Sequence, residues 1–248
     1  MSSTFHADLT SRAALFLLLA LPACAAAQLY GGSPDYKRPE LYLAPGPQSA
    51  LEMSAGALRA EIGVSSAAAA GELVPAVFNW LAAGFKASAE GGRLIGKTTA
   101  SGLMKERRLS GCHDWALVFS AVLRRLGYPA IMADAAGIKW ARAYKPGGPL
   151  SGHVFVEAYI GGRWTLIDSA SGRYVTNYDP ANPVLPLRAG DETEGYYVMF
   201  KGADPASYGI SSDGELGRKM KDFASRLPRL KLSYPDYEII APRPSSSR

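Results

Sequence analysis

The stretch Gly111-Cys112-His113-Asp114-Trp115-Ala116 opens the most strongly patterned segment of the chain. Apolar residues dominate from there to Leu126, and a glycine and a proline follow. Because glycine and proline end helices, this pattern predicts a helix over 112–126. A helix with so broad an apolar face is typical of the centre of a domain. Cys112 then lies in the first turn, where unpaired backbone N–H groups and the helix dipole favour a thiolate.

The chain has two cysteines, Cys24 and Cys112. Cys24 lies in a segment with the pattern of an export signal, so it is predicted to be removed or lipidated and cannot pair with Cys112. An unpaired thiol in an exported protein is open to oxidation and contributes no stabilising disulfide. The combination favours a chemical role for Cys112 over a structural one.

Two strand-like runs follow the helix, and Gly161-Gly162 joins them. The first run begins at His153 and the second ends at Asp168. Alternating runs joined by two glycines predict a β-hairpin. If Ile160 pairs with Arg163, the histidine and the aspartate are diagonal neighbours on one face of the sheet, where a carboxylate can orient an imidazole. A slip of one residue would place them on opposite faces.

Three blocks of the sequence resemble the transglutaminase-like superfamily, in the order in which that family has them. They are the cysteine segment 111–130, the histidine strand 153–157 and the aspartate strand 164–168. The resemblance covers the middle of the chain, roughly 74–171. It implies an α+β fold of the papain type, with the nucleophile at the N-terminus of a central helix packed on an antiparallel sheet. It also implies a triad of Cys112, His153 and Asp168.

The chemistry of these three residue types agrees with the resemblance. Cys112 would attack an amide or acyl carbonyl and form a thioester, and His153 would take its proton and return it to the leaving group. Asp168 would hold the imidazole in the required tautomer. The backbone N–H of Cys112 is a natural oxyanion donor, whereas Asn79 and Trp80 are weak candidates for a second one.

His113 and Asp114 are the other polar residues beside the cysteine. Successive helical residues point about 100° apart, so we expect His113 to be partly exposed, with a place in the cleft as the alternative. Asp114 is expected to form hydrogen bonds near the helix start.

Two further patterns suggest ligand sites and are rejected. The run 91–98 fits the phosphate-loop pattern, but no buried strand precedes it and no repeating βαβ pattern surrounds it. Nucleotide binding through Lys97 is therefore disfavoured. The acidic run 191–194 lacks the alternating oxygen ligands of a calcium loop and is interpreted as a solvated turn. With no Cys or His cluster for zinc, we expect neither a metal nor a cofactor.

The N-terminal residues 1–27 have the pattern of a signal peptide: a polar stretch, a short apolar run and small residues. Cleavage after Ala27 is favoured over a lipoprotein signal that ends before Cys24. No apolar run is long enough to span a membrane as a helix, and the protein is predicted to be periplasmic, secreted or lipid-anchored. The other predicted units are a flexible linker (28–49), a catalytic domain (50–203) and a C-terminal extension with one helix and a mobile tail (204–248).

The net charge of +5 is carried by scattered basic residues, which suit solvated helix faces better than a nucleic-acid site. The sequence therefore predicts an exported cysteine hydrolase that cleaves amide or peptide bonds in a protein or peptide substrate, with the cell envelope as one candidate source of that substrate. The alternatives are a transglutaminase, which passes the acyl group to an amine, and a binding or scaffold module without turnover.

Overall fold

The computed structural model describes residues 33–88, 95–188 and 192–242. The helices are α1 (Ala55–Ile62), α2 (Ala70–Gly84), α3 (Ala100–Glu106), α4 (Cys112–Arg125), α5 (Ile138–Ala143) and α6 (Asp213–Arg226). The strands are β1 (Lys86–Ala87), β2 (Arg108–Leu109), β3 (Ala130–Gly137), β4 (Gly152–Ile160), β5 (Arg163–Asp168), β6 (Arg173–Val175), β7 (Val184–Leu185), β8 (Tyr196–Gly202) and β9 (Ile239–Ile240). The predicted signal peptide (1–27) and the end of the predicted mobile tail (243–248) lie outside the described residues.

A seven-stranded sheet with the order β7-β8-β3-β4-β5-β6-β9 forms the centre of the fold, and all its neighbouring strands are antiparallel. Helix α4 packs on the central strands β3 and β4, as its apolar face predicts. Val118 and Val122, one turn apart on α4, are fully buried in this core. The predicted α+β fold, a central helix on an antiparallel sheet, is confirmed.

The hairpin of β4 and β5 has the predicted register. Ile160 pairs with Arg163, and the pairing continues to Val156 and Ile167. Gly161 and Gly162 have φ values of 60° and 81°, the left-handed conformation that a two-residue hairpin turn needs at both positions. The turn therefore fixes the register, and the register fixes which residues of the two strands share a face.

Several element bounds differ from what the sequence pattern alone predicts. The pattern predicts a helix over 99–109, but α3 ends at Glu106, because Arg107 adopts a left-handed φ of 50° and β2 pairs in parallel with β1. It predicts a strand over 128–135, whereas β3 runs from Ala130 to Gly137. It predicts a loop over 136–152, but this region contains α5, since the apolar residues Ile138 and Ala141 are buried under α6.

The described part of the predicted flexible linker, 33–49, is packed on the domain, which corrects that prediction. The Tyr36 hydroxyl donates a hydrogen bond to Glu157 on β4 at 2.7 Å. The backbone N–H of Gln48 donates to Asp204 at 2.7 Å, and Ser49 is 2% exposed. The segment is ordered because its polar groups complete buried hydrogen bonds of the sheet.

The C-terminal residues extend the same sheet. Helix α6 lies where a late helix was predicted, and β9 pairs with β6 at the sheet edge. Tyr237 contacts Tyr178 edge to face, with ring centroids 5.7 Å apart. Within the described ranges, no helix is long and apolar enough to cross a membrane.

Candidate active site

Cys112 is the first residue of α4, and Gly111 before it is extended, with φ −171° and ψ −172°. The turn from strand-like to helical backbone leaves the first N–H groups of the helix directed towards the space around the thiol. Cys112 is a free cysteine of intermediate exposure. The sequence therefore presents the thiol at the positive end of the most buried helix.

The histidine and the aspartate of the hairpin lie on the same face of the sheet and are in contact, as the strand alternation predicts. His153 Nε2 is 2.8 Å from Asp168 Oδ1. Asp168 is 2% exposed and also accepts hydrogen bonds from Ser171 Oγ at 2.6 Å and from the Arg173 guanidinium at 3.2 Å. Burial raises the pKa of Asp168, but the bonds from His153 and Ser171 and the charge of Arg173 outweigh it and lower the pKa to about 2. The carboxylate is thus ionised across the physiological range.

The imidazole of His153 is held by aromatic rings as well. The ring of Phe155 meets it edge to face at 4.9 Å, and that of Tyr196 lies 5.7 Å away. Because Nε2 is bonded to Asp168, Nδ1 is the nitrogen left for Cys112. Tyr196 lies in β8, two strands away from β4 in the sheet, so nothing in the local sequence pointed to it.

The thiol and the imidazole shift each other's pKa in opposite directions. Burial raises the pKa of Cys112, yet hydrogen bonds with His113 and His153 lower it to about 6. Burial lowers the pKa of His153, while its hydrogen bonds with Asp168 and Cys112 raise it to about 10. Between these values the stable form is a thiolate beside an imidazolium, the nucleophilic form of a cysteine site.

A cleft of about 610 Å³ opens beside His153. Its walls include Trp140, Leu150 and Tyr196, and the carboxylate-bearing Glu192 lies among them. The cleft is lined partly by α5, in the region that was predicted as a loop. A smaller cleft, of about 290 Å³, is lined by apolar residues that include Trp115, one helical turn from Cys112.

His113 is of intermediate exposure, as predicted, but its side chain is directed at the sheet. Its side chain is 11% exposed, and its Nε2 lies 2.8 Å from Asp134 Oδ2 on β3. The 100° step from Cys112 turns this side chain towards the sheet beneath α4 rather than towards solvent. Asp134 was missed, although it is the only charged residue in the eight-residue run of β3, and a lone charge in an apolar strand is a usable signal.

Asp114 does form hydrogen bonds at the helix start, as predicted. Its Oδ2 accepts from the backbone N–H and the hydroxyl of Ser110, at 2.9 and 2.6 Å. Trp80, a weak candidate for an oxyanion donor, packs instead against Phe85 and under the guanidinium of Arg107.

The acidic run 191–194 is not simply a solvated turn in its described part. Glu192 is 3% exposed, because its carboxylate accepts backbone hydrogen bonds from Glu194 at 2.8 Å and Lys139 at 3.4 Å. In the described portion of the chain, no cluster of three or more His, Cys, Asp or Glu side chains is arranged to hold a metal ion. Half of the phosphate-loop pattern, 91–94, lies outside the described residues.

Comparison with known families adds to this geometry. Residues 57–169 match the model of the transglutaminase-like superfamily. This segment is therefore similar to the core of that superfamily. It contains Cys112, His153 and Asp168, and it also contains the His113–Asp134 pair. The superfamily comprises cysteine hydrolases and acyltransferases.

No curated protein matches the chain. A solved structure described as a "Putative Cysteine Protease", from Cytophaga hutchinsonii, is 21% identical over 74% of this chain, with a TM-score of 0.48. The chain spans about half of that protein, 54% of its length.

Proposed function

We propose that this protein is a cysteine hydrolase that cleaves amide or peptide bonds through a thioester on Cys112. One observation carries the proposal: His153 Nε2 is 2.8 Å from the buried Asp168 carboxylate, and this imidazole is among the groups that, against the effect of burial, lower the pKa of Cys112 at the N-terminus of α4. Nucleophile, base and orienting carboxylate are thus joined in one chain of contacts, as nucleophilic catalysis requires.

The first half of the reaction forms the acyl-enzyme. The Cys112 thiolate attacks the carbonyl carbon, and the oxygen becomes an oxyanion near the N-terminus of α4, where the Cys112 N–H can donate to it. The His153 imidazolium gives its Nδ1 proton to the leaving nitrogen, and the C–N bond breaks. A thioester, a free amine and a neutral imidazole result.

The second half returns the enzyme to its starting state. Neutral His153 takes a proton from water, the hydroxide adds to the thioester carbonyl, and the C–S bond breaks to release a carboxylic acid and the thiolate. The His153 side chain is 14% exposed and lines the large cleft, so water has access to the imidazole. This access is why hydrolysis is the first choice.

Acyl transfer to an amine is the alternative within the same chemistry, with an amine in place of water. A module that binds a partner without turnover is the second alternative. The three differ in product: a new carboxyl terminus, a new amide or neither. We favour protein or peptide substrates, because the large cleft beside His153 is lined by apolar and polar groups together.

We also propose that the protein acts outside the cytoplasm, in the periplasm or the medium or on a lipid anchor. Residues 1–27 support this by their signal-like pattern, and Cys24 is the position that an anchor would use. Cell fractionation with N-terminal sequencing of the mature chain tests it. A mature protein that begins at Met1 and stays in the cytoplasm would contradict it.

The activity is tested by incubating the protein with a complex peptide mixture and a biotinylated primary amine, and by identifying products by mass spectrometry. We expect new peptide termini that depend on Cys112 and His153. Cys112→Ala is the matched control, because it removes only the sulfur. Biotinylated peptides instead of new termini would point to transfer, and equal products from the wild type and Cys112→Ala would overturn the proposal.

A further inference from the structure

A second histidine–carboxylate pair lies at the same thiol. His113 Nε2 is 2.8 Å from Asp134 Oδ2, the same separation and the same ring nitrogen as in the His153–Asp168 pair. In each imidazole, Nε2 is occupied by a carboxylate, so Nδ1 is the nitrogen available to Cys112. His113 directly follows Cys112 on α4. Burial raises the pKa of the thiol, and hydrogen bonds with His113 and His153 lower it.

The two pairs approach the thiol from different elements and from opposite faces of the sheet. Asp134 pairs with Val154, whose side chain lies in the core under the helices. His153 is the next residue along β4, so by strand parity it shares the other face with Phe155. His113 comes from α4 itself. Cys112 is therefore set between two imidazoles that cannot replace each other.

The surroundings of the two pairs differ. His153 lines the large cleft, whereas His113 does not contribute to its walls. The titratable groups that face the His113–Asp134 pair are Cys112 on α4 and Tyr208 of the 3-10 turn Pro205–Tyr208. Burial and the charge of Asp134 both raise the pKa of Tyr208, so this phenol stays neutral. Of these two facing groups, the sulfur is the one that can react.

We propose that His113, held by Asp134, is a standing imidazolium that stabilises the Cys112 thiolate, while His153 alone carries protons to and from the substrate. The proposal rests on the proposed function for its second half. It assigns His113 a charge role at the sulfur, and Asp134 a positioning role that keeps His113 protonated and in place.

The division of labour follows from the reaction cycle. After His153 has protonated the leaving group, it is neutral and must stay so in order to activate water. At that stage His113 is the one cation at the sulfur among the groups described above. When the C–S bond breaks, the electron pair returns to sulfur, and an adjacent imidazolium stabilises that leaving thiolate. Burial lowers the pKa of His113, but Asp134 and the Cys112 contact raise it to about 10, which keeps it charged.

The proposal is tested on the full chain by the rate of iodoacetamide alkylation of Cys112 against pH. The adduct is measured on the peptide that contains Cys112, so that Cys24 does not contribute. We compare His113→Gln, which keeps an amide donor for Asp134 but carries no charge, with Asp134→Asn and His153→Gln. Asp114→Asn is the matched control, because that neighbouring carboxylate binds only Ser110 in the structure.

We expect His113→Gln and Asp134→Asn each to raise the apparent thiol pKa, with alkylation near pH 6 slowed about tenfold and the rate near pH 9 unchanged. Asp114→Asn should match the wild type within about twofold. Peptide turnover by His113→Gln should recover near pH 9, where the thiol ionises unaided, while turnover by His153→Gln should not recover.

The proposal is overturned if the alkylation profiles of His113→Gln and Asp134→Asn coincide with that of the wild type. Far-ultraviolet circular dichroism checks that each variant is folded, and either variant alone decides the question. The titration needs no substrate. If the wild-type thiol has a low pKa but the protein shows no peptide turnover, the proposed function is contradicted, while the charge role of His113 is still supported.

Discussion

The sheet buries charge in two places that differ in one respect. The thiol site contains Cys112 with its two histidine–aspartate pairs. The second place, here called the Glu157 cluster, consists of Glu157, Lys201, Tyr36 and Tyr178 on the face of the sheet away from the helices. Glu157 lies on β4 only four residues after His153. Both places bury ionisable groups. His153 of the thiol site lines the large cleft, whereas no residue of the Glu157 cluster lines either of the two clefts described above.

The Glu157 cluster is closed on itself. Lys201 Nζ lies 2.5 Å from Glu157 and donates to the Tyr36 hydroxyl at 2.7 Å and to the Pro180 carbonyl at 3.0 Å. Tyr36 and Tyr178 both donate to the Glu157 carboxylate, which is fully buried. No donor in this cluster needs a ligand. Buried charge alone therefore does not identify a functional site. A reactive atom beside a cleft, as at the thiol site, is the more informative feature.

The largest contrast is expected from Cys112→Ala. Removing the nucleophile should lower peptide turnover by about 10³-fold or more, because the acyl-enzyme can no longer form. Unfolding in urea should change by only about 1 kcal/mol, since one sulfur atom is lost at a partly exposed position. Unchanged peptide turnover by Cys112→Ala would contradict the proposed role of the thiol site in catalysis.

Lys201→Met should give the opposite result. It leaves the Glu157 carboxylate buried without its cation, which should cost about 3–5 kcal/mol of unfolding free energy. Turnover per folded molecule should be unchanged, because the cluster does not touch the thiol site. The double variant Glu157→Leu/Lys201→Met is the control and should be less destabilised than the single one. Equal unfolding free energies of Lys201→Met and the wild type would contradict this stabilising role of Lys201.

Acid sensitivity should separate the two regions next. The pKa of Asp168 is lowered from an ordinary 3.8 to about 2, so its ionisation stabilises the fold above about pH 4. That stabilisation, about 2 kcal/mol, is lost as the pH falls through 4 to 2. Asp168→Asn should remove this part of the pH dependence, measured by urea unfolding at several pH values. An unchanged dependence of the unfolding free energy on pH in Asp168→Asn would mean that the His153–Asp168 pair is not formed.

The smallest effect is expected at Ser171, whose hydroxyl donates to Asp168 at 2.6 Å. Ser171→Ala removes one of several hydrogen bonds to the carboxylate and should cost about 1 kcal/mol of stability. The pKa of Asp168 should rise slightly, and turnover should fall only a few fold, because His153 keeps its bond. Nuclear magnetic resonance titration of the carboxyl carbon measures the pKa. A loss as large as that of Cys112→Ala would show that the hydroxyl does more than support the carboxylate.

The alternation of side chains along the two strands and the two-glycine turn between them predicted most of the hairpin. Gly161-Gly162 fixed its register, and that register brought His153 to Asp168. These are local signals, with a period of two residues and a short connection. The helix from Cys112 was predicted as well, since its apolar face and its terminal glycine lie in one continuous segment.

The missed features depend on contacts between distant segments. His113 meets Asp134 only because α4 crosses β3, and no local pattern reveals that crossing. Helix α5 is six residues long and owes its place to packing against α6, which outweighs a sequence context rich in glycine and proline. Tyr36 reaches Glu157 across 121 residues of sequence.

The proposed thiolate–imidazolium pair of Cys112 and His153 can be tested through the alkylation rate of Cys112 near pH 6. We expect rapid alkylation in the wild type, because the thiol pKa is about 6, and a rate about tenfold lower in His153→Ala. Alkylation that follows an ordinary thiol pKa of about 8.5 in both proteins would contradict it.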